Sequence, residues 1–326
     1  MDILVSVFLF AVGLVLLIKG GDWFVDGAVG IAKRFRLPDI VVGATVVSIG
    51  TTLPEVMVST TGALSGSGAM AYGNAIGSII CNTALIAAIS ITCNPGPVNV
   101  KSMKTPVLFF FMSAAIYCLA AYGMGTFPRW LGFIMLSVFA VYMVLTVRNG
   151  MKNPDQGAEE EEEGGKEKKL WQELLLLVAG AAVIAVGADL LVDHGQIIAL
   201  ALGVPETVVA LLFVALGTSL PELVTTITSL KKGRASLGVG NVIGANIFNL
   251  VLVSGVAVSL APFDVPAENL LLNTGLNLSL VFDIPVMLGV MTLMTIPALL
   301  SKKLGRWQGI TLLCIYAAFC VCQFVL

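Results

Sequence analysis

Charge is what this chain has little of. Asp, Glu, Lys and Arg make up 12% of its 326 residues, about half the share usual in a soluble domain, which excludes a water-soluble globular fold. Its one histidine, His194, leaves no material for a histidine metal cluster, and it is expected in an extracytoplasmic loop. The six cysteines, Cys81, Cys93, Cys118, Cys314, Cys320 and Cys322, form no CxxC and no Cys/His spacing, which excludes a zinc site and a disulfide framework. Set in apolar segments, they behave as small hydrophobes. The 18 Lys and Arg residues gather into no basic face, so no nucleic acid partner is expected. No basic stretch precedes the apolar run from Ile3 to Ile18, which therefore reads as a retained first span rather than a signal peptide. Nothing here implies an enzyme or a bound cofactor.

What is abundant is hydrocarbon. Hydrophobic residues reach 57%, in stretches that repeatedly attain the roughly 20 residues a helix needs to cross a bilayer. The predicted fold is an all-α polytopic membrane protein. Its ten transmembrane helices lie near 3–30, 38–64, 70–92, 105–124, 128–147, 170–193, 205–230, 236–260, 277–300 and 308–326. A polar stretch, 148–169, holds the acidic run Glu159 to Glu163 and reads as a solvated cytoplasmic linker. It separates a five-helix half, 1–147, from a second, 170–326.

The halves are copies. At a constant offset of 167, Asp22 matches Asp189, Asp26 matches Asp193, Pro38 matches Pro205, Glu55 matches Glu222, Asn74 matches Asn241, Gly77 matches Gly244 and Asn82 matches Asn249. Later the offset becomes 179, where Thr105-Pro106-Val107 meets Ile284-Pro285-Val286, so the second half carries twelve more residues near 262–277; no function is assigned to them. Five is odd, so the second copy enters the membrane in the opposite direction, an inverted-topology repeat of the kind that builds secondary transporters around a midplane site. With the N-terminus outside, sixteen of the eighteen basic residues fall in cytoplasmic segments, leaving Lys19 in a span and Arg129 outside. Both termini are thus expected outside the cytoplasm, the chain lying in the cell (inner) membrane. One chain holds both copies, so a monomer suffices.

Each copy sets a glutamate beside a proline inside its second span: VVGATVVSIGTTLPEVMVST (41 to 60) and VVALLFVALGTSLPELVTTI (208 to 227). A carboxylate at that depth costs several kcal/mol, and here the cost is incurred twice at matching positions. Pro54 and Pro221 have no N–H to give and displace the carbonyls of Gly50 and Gly217, predicting a broken helix whose freed oxygens line a cavity. Thr51, Glu55 and Ser59 follow at four-residue spacing, as do Thr218, Glu222 and Thr226. The next spans read GNAIGSIICN (73 to 82) and GNVIGANIFN (240 to 249), placing Asn74, Ser78 and Asn82 in one stripe and Asn241, Ala245 and Asn249 in the other. Gly73 with Gly77, and Gly240 with Gly244, predict close helix approach. Two carboxylates with hydroxyl, amide and carbonyl oxygens suit calcium or sodium rather than soft metals.

The plainer alternative is that a buried glutamate merely satisfies hydrogen bonds. Two of them at symmetric sites, each with a proline break and hydroxyls, weigh against it. Asp22, Asp26, Asp189 and Asp193, toward span ends, read as interfacial anchors as readily as ion-path residues, and Asp283 reads as interfacial.

GTTLPE (50 to 55), GTSLPE (217 to 222), GNAIGS (73 to 78), GNVIGA (240 to 245) and GRWQG (305 to 309) resemble the motifs of the sodium/calcium exchangers of the calcium/cation antiporter superfamily, in its compact prokaryotic form with two alpha repeats. The resemblance covers nearly the whole chain. It implies ten helices, four cation sites among the second, third, seventh and eighth, and first and sixth helices that slide against the rest. It implies as ligands Ser48, Thr51, Thr52, Glu55, Ser78 and Asn82 in one half, and Ala215 through its carbonyl, Thr218, Ser219, Glu222 and Asn249 in the other. The transported ions would be sodium and calcium, three sodium for one calcium.

Departures carry information too. Ala245 stands where relatives often have Ser, removing a hydroxyl from a sodium site. Asn249 stands where potassium-dependent members have Asp, which argues against potassium cotransport and holds the cage near −2. One calcium balances that charge and three sodium ions leave +1, so exchange is expected to move net charge. The alternative within the same fold is a proton/calcium antiporter; Gly77-Ser78 and Gly244-Ala245 lack the acidic residue those members carry.

Overall fold

The computed structural model describes residues 3–152, 169–202, 217–266 and 277–325. Long apolar runs become helices because hydrocarbon offers backbone polar groups no other partner. In order these are α1 (Ile3–Arg34), α2 (Asp39–Thr51), α3 (Leu53–Leu64), α4 (Gly68–Cys93), α5 (Val100–Met124), α6 (Arg129–Lys152), α7 (Leu170–Ala201), α8 (Leu220–Lys231), α9 (Ala235–Leu260), α10 (Ser279–Ser301) and α11 (Arg306–Val325). Among the described residues seven helices are long and apolar enough to cross a membrane, or eight when α2 and α3 count as one bent span. Part of the expected seventh span falls at 203–216, outside the described residues, as do 153–168 of the linker and 267–276 of the twelve-residue insertion.

Two short antiparallel pairs close opposite ends of the bundle. Gly96–Pro97 pairs with Lys303–Leu304, and Thr126–Phe127 with Phe263–Asp264. Each joins loops that the charge distribution assigns to one side. Beside them Arg306 Nε donates to the Thr92 carbonyl (3.0 Å) and Arg129 Nη2 to that of Leu260 (3.1 Å).

Burial grades inward. The apolar stretches of α4 and α9 are 72% and 83% buried, those of α1 and α7 only 22%, so α4 and α9 form the core and α1 and α7 lie outside it. α1 and α7 run antiparallel through glycines spaced by seven. A Cβ on Gly13 would stand 2.9 Å from the Gly187 carbonyl, on Gly20 2.9 Å from Ile184 N, and on Gly27 2.7 Å from the Glu173 carbonyl. The smooth track ends in an ion pair, Arg34 Nε to Glu173 Oε2 at 2.9 Å, with Arg34 Nη2 reaching Oε1 at 3.4 Å.

Two expectations change, the loop at His194 and the close approach at one glycine pair. His194 is not in a loop: α7 continues to Ala201, and His194 is buried on the seven-residue register that carries Gly180 and Gly187. Asp22 and Asp26 pair with Lys232. Asp283 accepts from Ser279 Oγ (3.1 Å) and Gln323 Nε2 (2.7 Å). Of the glycine pairs, Gly240 and Gly244 meet the α2 backbone, a Cβ standing 2.9 Å from Ile40 Cα and 2.6 Å from Ala44 Cα, whereas a Cβ on Gly73 or Gly77 would meet no described neighbour within 4 Å. The repeat counterparts of Ile40 and Ala44 are Thr207 and Leu211, outside the described residues.

Candidate cation site

The break forms where the prolines stand. α2 and α3 meet at Thr52 with a 46° bend. Pro54 does not sit mid-helix as the sequence suggests: it lies in the first turn of α3, where its missing N–H has no partner to lose. Pro221 holds the same place in α8. Each glutamate therefore occupies the first turn of a half-helix, where the helix dipole favours negative charge. In the neighbouring helices Asn82 and Asn249 each begin a π-helical turn, Asn82–Ala87 and Asn249–Val253; such wide turns re-aim side chains and gather at functional sites.

Hydrogen bonds cross between the copies. Asn241 Oδ1 accepts from Thr51 Oγ1 (3.1 Å) and Ser48 Oγ (3.3 Å), and Ser48 Oγ also donates to the Asn241 carbonyl (3.0 Å). In the other direction Asn74 Oδ1 accepts from Thr218 Oγ1 (3.4 Å), while Asn74 Nδ2 donates to Ser59 Oγ (2.8 Å) and to the Glu55 carbonyl (3.3 Å). The two asparagines pin each broken helix against the opposite copy.

Between these braces lie the remaining ligand candidates. Glu55, Glu222, Thr52, Ser219, Asn82 and Asn249 are buried, and their side-chain polar atoms have no hydrogen-bond partner among the described residues. The Glu222 carboxylate faces the hydroxyls of Thr51 and Thr52 without closing a hydrogen bond, and it repels Glu55. Ser78 is buried on the same stripe; Ala215 lies outside the described residues. No cluster of three acidic, histidine or cysteine side chains gathers among the described residues. Two carboxylates surrounded by neutral oxygens fit a hard cation. Bare, they would incur several kcal/mol of desolvation each.

Three supporting residues escape the sequence reading. Asn246 Nδ2 donates to Thr83 Oγ1 (2.7 Å) behind the stripe; its repeat counterpart is Ile79, so matching the copies passes over it. Tyr142 OH donates to the Ala44 carbonyl (2.7 Å) beside the π-helical turn Gly43–Val47. Cys81 accepts from Tyr316 OH at 3.7 Å and adjoins Ser219.

The profile described as sodium/calcium exchanger protein matches residues 5–148 and 173–325. This chain belongs to the sodium/calcium exchanger family. Over 307 residues it is 35% identical to an uncharacterized membrane protein of Methanocaldococcus jannaschii, covering 94% of each chain. It is 30% identical over 357 aligned positions to the sodium/calcium exchanger MaX1 of Methanosarcina acetivorans, covering 99% of each. A solved structure of the sodium-calcium exchanger NCX_Mj, soaked with Na+ and Sr2+, superposes with a TM-score of 0.79 at 33% identity, covering 97% of this chain and 98% of that one. The chain is thus a multi-pass membrane exchanger of this family, and the fold it shares with that solved exchanger is the frame in which the glutamates stand.

Proposed function

We propose that the chain exchanges sodium for calcium by alternating access, with Glu55 and Glu222 as the central ligands and the other polar groups above completing the cage. The observation that carries this reading is the pair of buried carboxylates, one from each copy, with no cationic partner among the described residues. A fixed charge near −2 admits one calcium or several sodium ions but not both loads together. Three sodium ions would leave +1, so the cycle is electrogenic.

The packing supports a state closed at the basic, cytoplasmic end. α1 seals against α8: a Cβ on Gly21 would stand 2.7 Å from Val224 Cγ1 and 2.8 Å from Thr228 Oγ1, and Thr228 is buried. The repeat counterparts of Val224 and Thr228 are Met57 and Thr61, both exposed. Exchange would proceed by sliding the α1–α7 pair along its glycine track to reverse this asymmetry.

Radiolabelled calcium uptake into proteoliposomes under imposed sodium, potassium or proton gradients tests the reading. Uptake driven by sodium and sensitive to membrane voltage is expected. Uptake driven by a pH gradient alone would make the protein a proton/calcium antiporter; flux needing no counter-ion would make it a channel.

A further inference from the structure

α8 carries more hydroxyls than a cage wall uses. Ser219, Glu222, Thr226 and Ser229 step by three, four and three along one helical face, with Thr225 beside them. All five are buried, and none of their side-chain oxygens has a hydrogen-bond partner among the described residues. A Ser or Thr within a membrane helix ordinarily bonds the carbonyl four residues back, as Thr45, Ser113 and Thr295 do here. The α8 hydroxyls do not.

The first copy shows what is added. The same face of α3 reads Thr52, Glu55, Ser59 and Gly62, with Val58 where α8 has Thr225. Ser59 is taken up by Asn74 at 2.8 Å, and Gly62 is covered by Met70, whose Sδ lies 2.9 Å from where a Cβ would stand. The polar line therefore ends one turn past Glu55 but continues two turns past Glu222. Ser229 lies about 10 Å along the axis from Glu222, two residues before α8 ends at Lys231.

We propose that Thr225, Thr226 and Ser229 line a hydrated path by which the cation passes between Glu222 and the cytoplasmic end, an inference that rests on the cation-exchange reading above. Neutral hydroxyl oxygens suit a partly hydrated alkali or alkaline-earth ion. They hold it too weakly to trap it, as conduction requires.

Cysteine substitution tests whether the stripe is wet. Thr225→Cys and Ser229→Cys, in a background with Cys93→Ala and Cys314→Ala, are treated with a small cationic, membrane-impermeant thiol reagent from the cytoplasmic side, with the exposed Ser236→Cys as control. Both should react, several-fold more slowly with calcium bound. Separately, Thr225→Val with Ser229→Ala should lower the maximal exchange rate roughly tenfold, the scale of one or two lost oxygen contacts, while leaving equilibrium calcium binding unchanged. Unreactive cysteines beside a reactive Ser236→Cys, or wild-type exchange in the double variant, overturns the path. Reactive cysteines in a protein that exchanges no cation would instead uphold the path and sink the cargo assignment.

Discussion

Removing the Lys232 side chain should loosen the cytoplasmic closure by a calculable amount. Lys232 Nζ lies 2.6 Å from Asp26 Oδ1 and 3.7 Å from Asp22 Oδ1, and it donates to the Asp22 carbonyl at 3.0 Å. It thereby ties the α8–α9 loop to α1. The side chains of Lys232 and Asp26 are 27% and 46% exposed, so water screens the pair and the contribution is about 1 kcal/mol rather than the several of a buried pair. That corresponds to roughly fivefold in the ratio of closed to open forms. Thr228 reads this ratio directly, because α1 covers it at Gly21. In Thr228→Cys, labelling from the cytoplasmic side should quicken about fivefold when Lys232→Ala is added. About 1 M salt, where the Debye length falls to about 3 Å, should quicken the single variant but not the double. Equal labelling rates with and without Lys232, or an equal response to salt, would refute the argument.

Other perturbations reach the cage itself. Glu55→Gln or Glu222→Gln should abolish calcium uptake while the protein still elutes as a folded species, since each substitution removes a buried repulsive charge; uptake retained by either variant contradicts the assignment. Asn241→Ala strips the acceptor from Thr51, at about 1–3 kcal/mol for a buried group left unpaired, while Ser48 keeps the main-chain carbonyls of Asn241 and Gly43; a lowered melting temperature with weakened sodium dependence of uptake is the expected pair of readouts. Ser65 occupies the repeat position of Lys232, and Asp189 and Asp193 those of Asp22 and Asp26; Ser65→Lys should install a matching tie at the other end and shift labelling of Thr228→Cys upward.

The sequence made the outline legible where a physical cost was repeated. Glu55 and Glu222 stand out because charge in hydrocarbon is expensive, and the 167-residue offset converts one suspicious residue into a paired site. Local chemistry was read less well. Pro54 is expected to kink its span, and the span bends by 46° at Thr52; what the pattern does not give is that Pro54 falls in the first turn after the bend, a place proline tolerates. The sequence predicts a loop at His194, but α7 runs on past the apolar stretch and the glycine register sets which face is buried. Asn246 and Tyr142 were out of reach for a different reason. Their partners, Thr83 and the Ala44 carbonyl, are 163 and 98 residues away, and no pattern within one helix announces a contact between helices.

The same matching that finds the site conceals what separates its two sides. A strictly symmetric repeat would give the two access states equal energy, since each would be the other with the copies interchanged. One line of departures from symmetry runs along α8: Thr225 for Val58, Ser229 for Gly62 and Lys232 for Ser65. All three changes lie between Glu222 and the basic end, and they act in opposite senses. The lysine ties α1 down and favours closure, whereas the hydroxyls ease passage of a hydrated ion once α1 has moved. A path that conducts readily needs a tie to keep it shut at rest, so Thr225, Ser229 and Lys232 form one device, and removing Lys232 alone should raise cytoplasmic accessibility without lowering the maximal exchange rate.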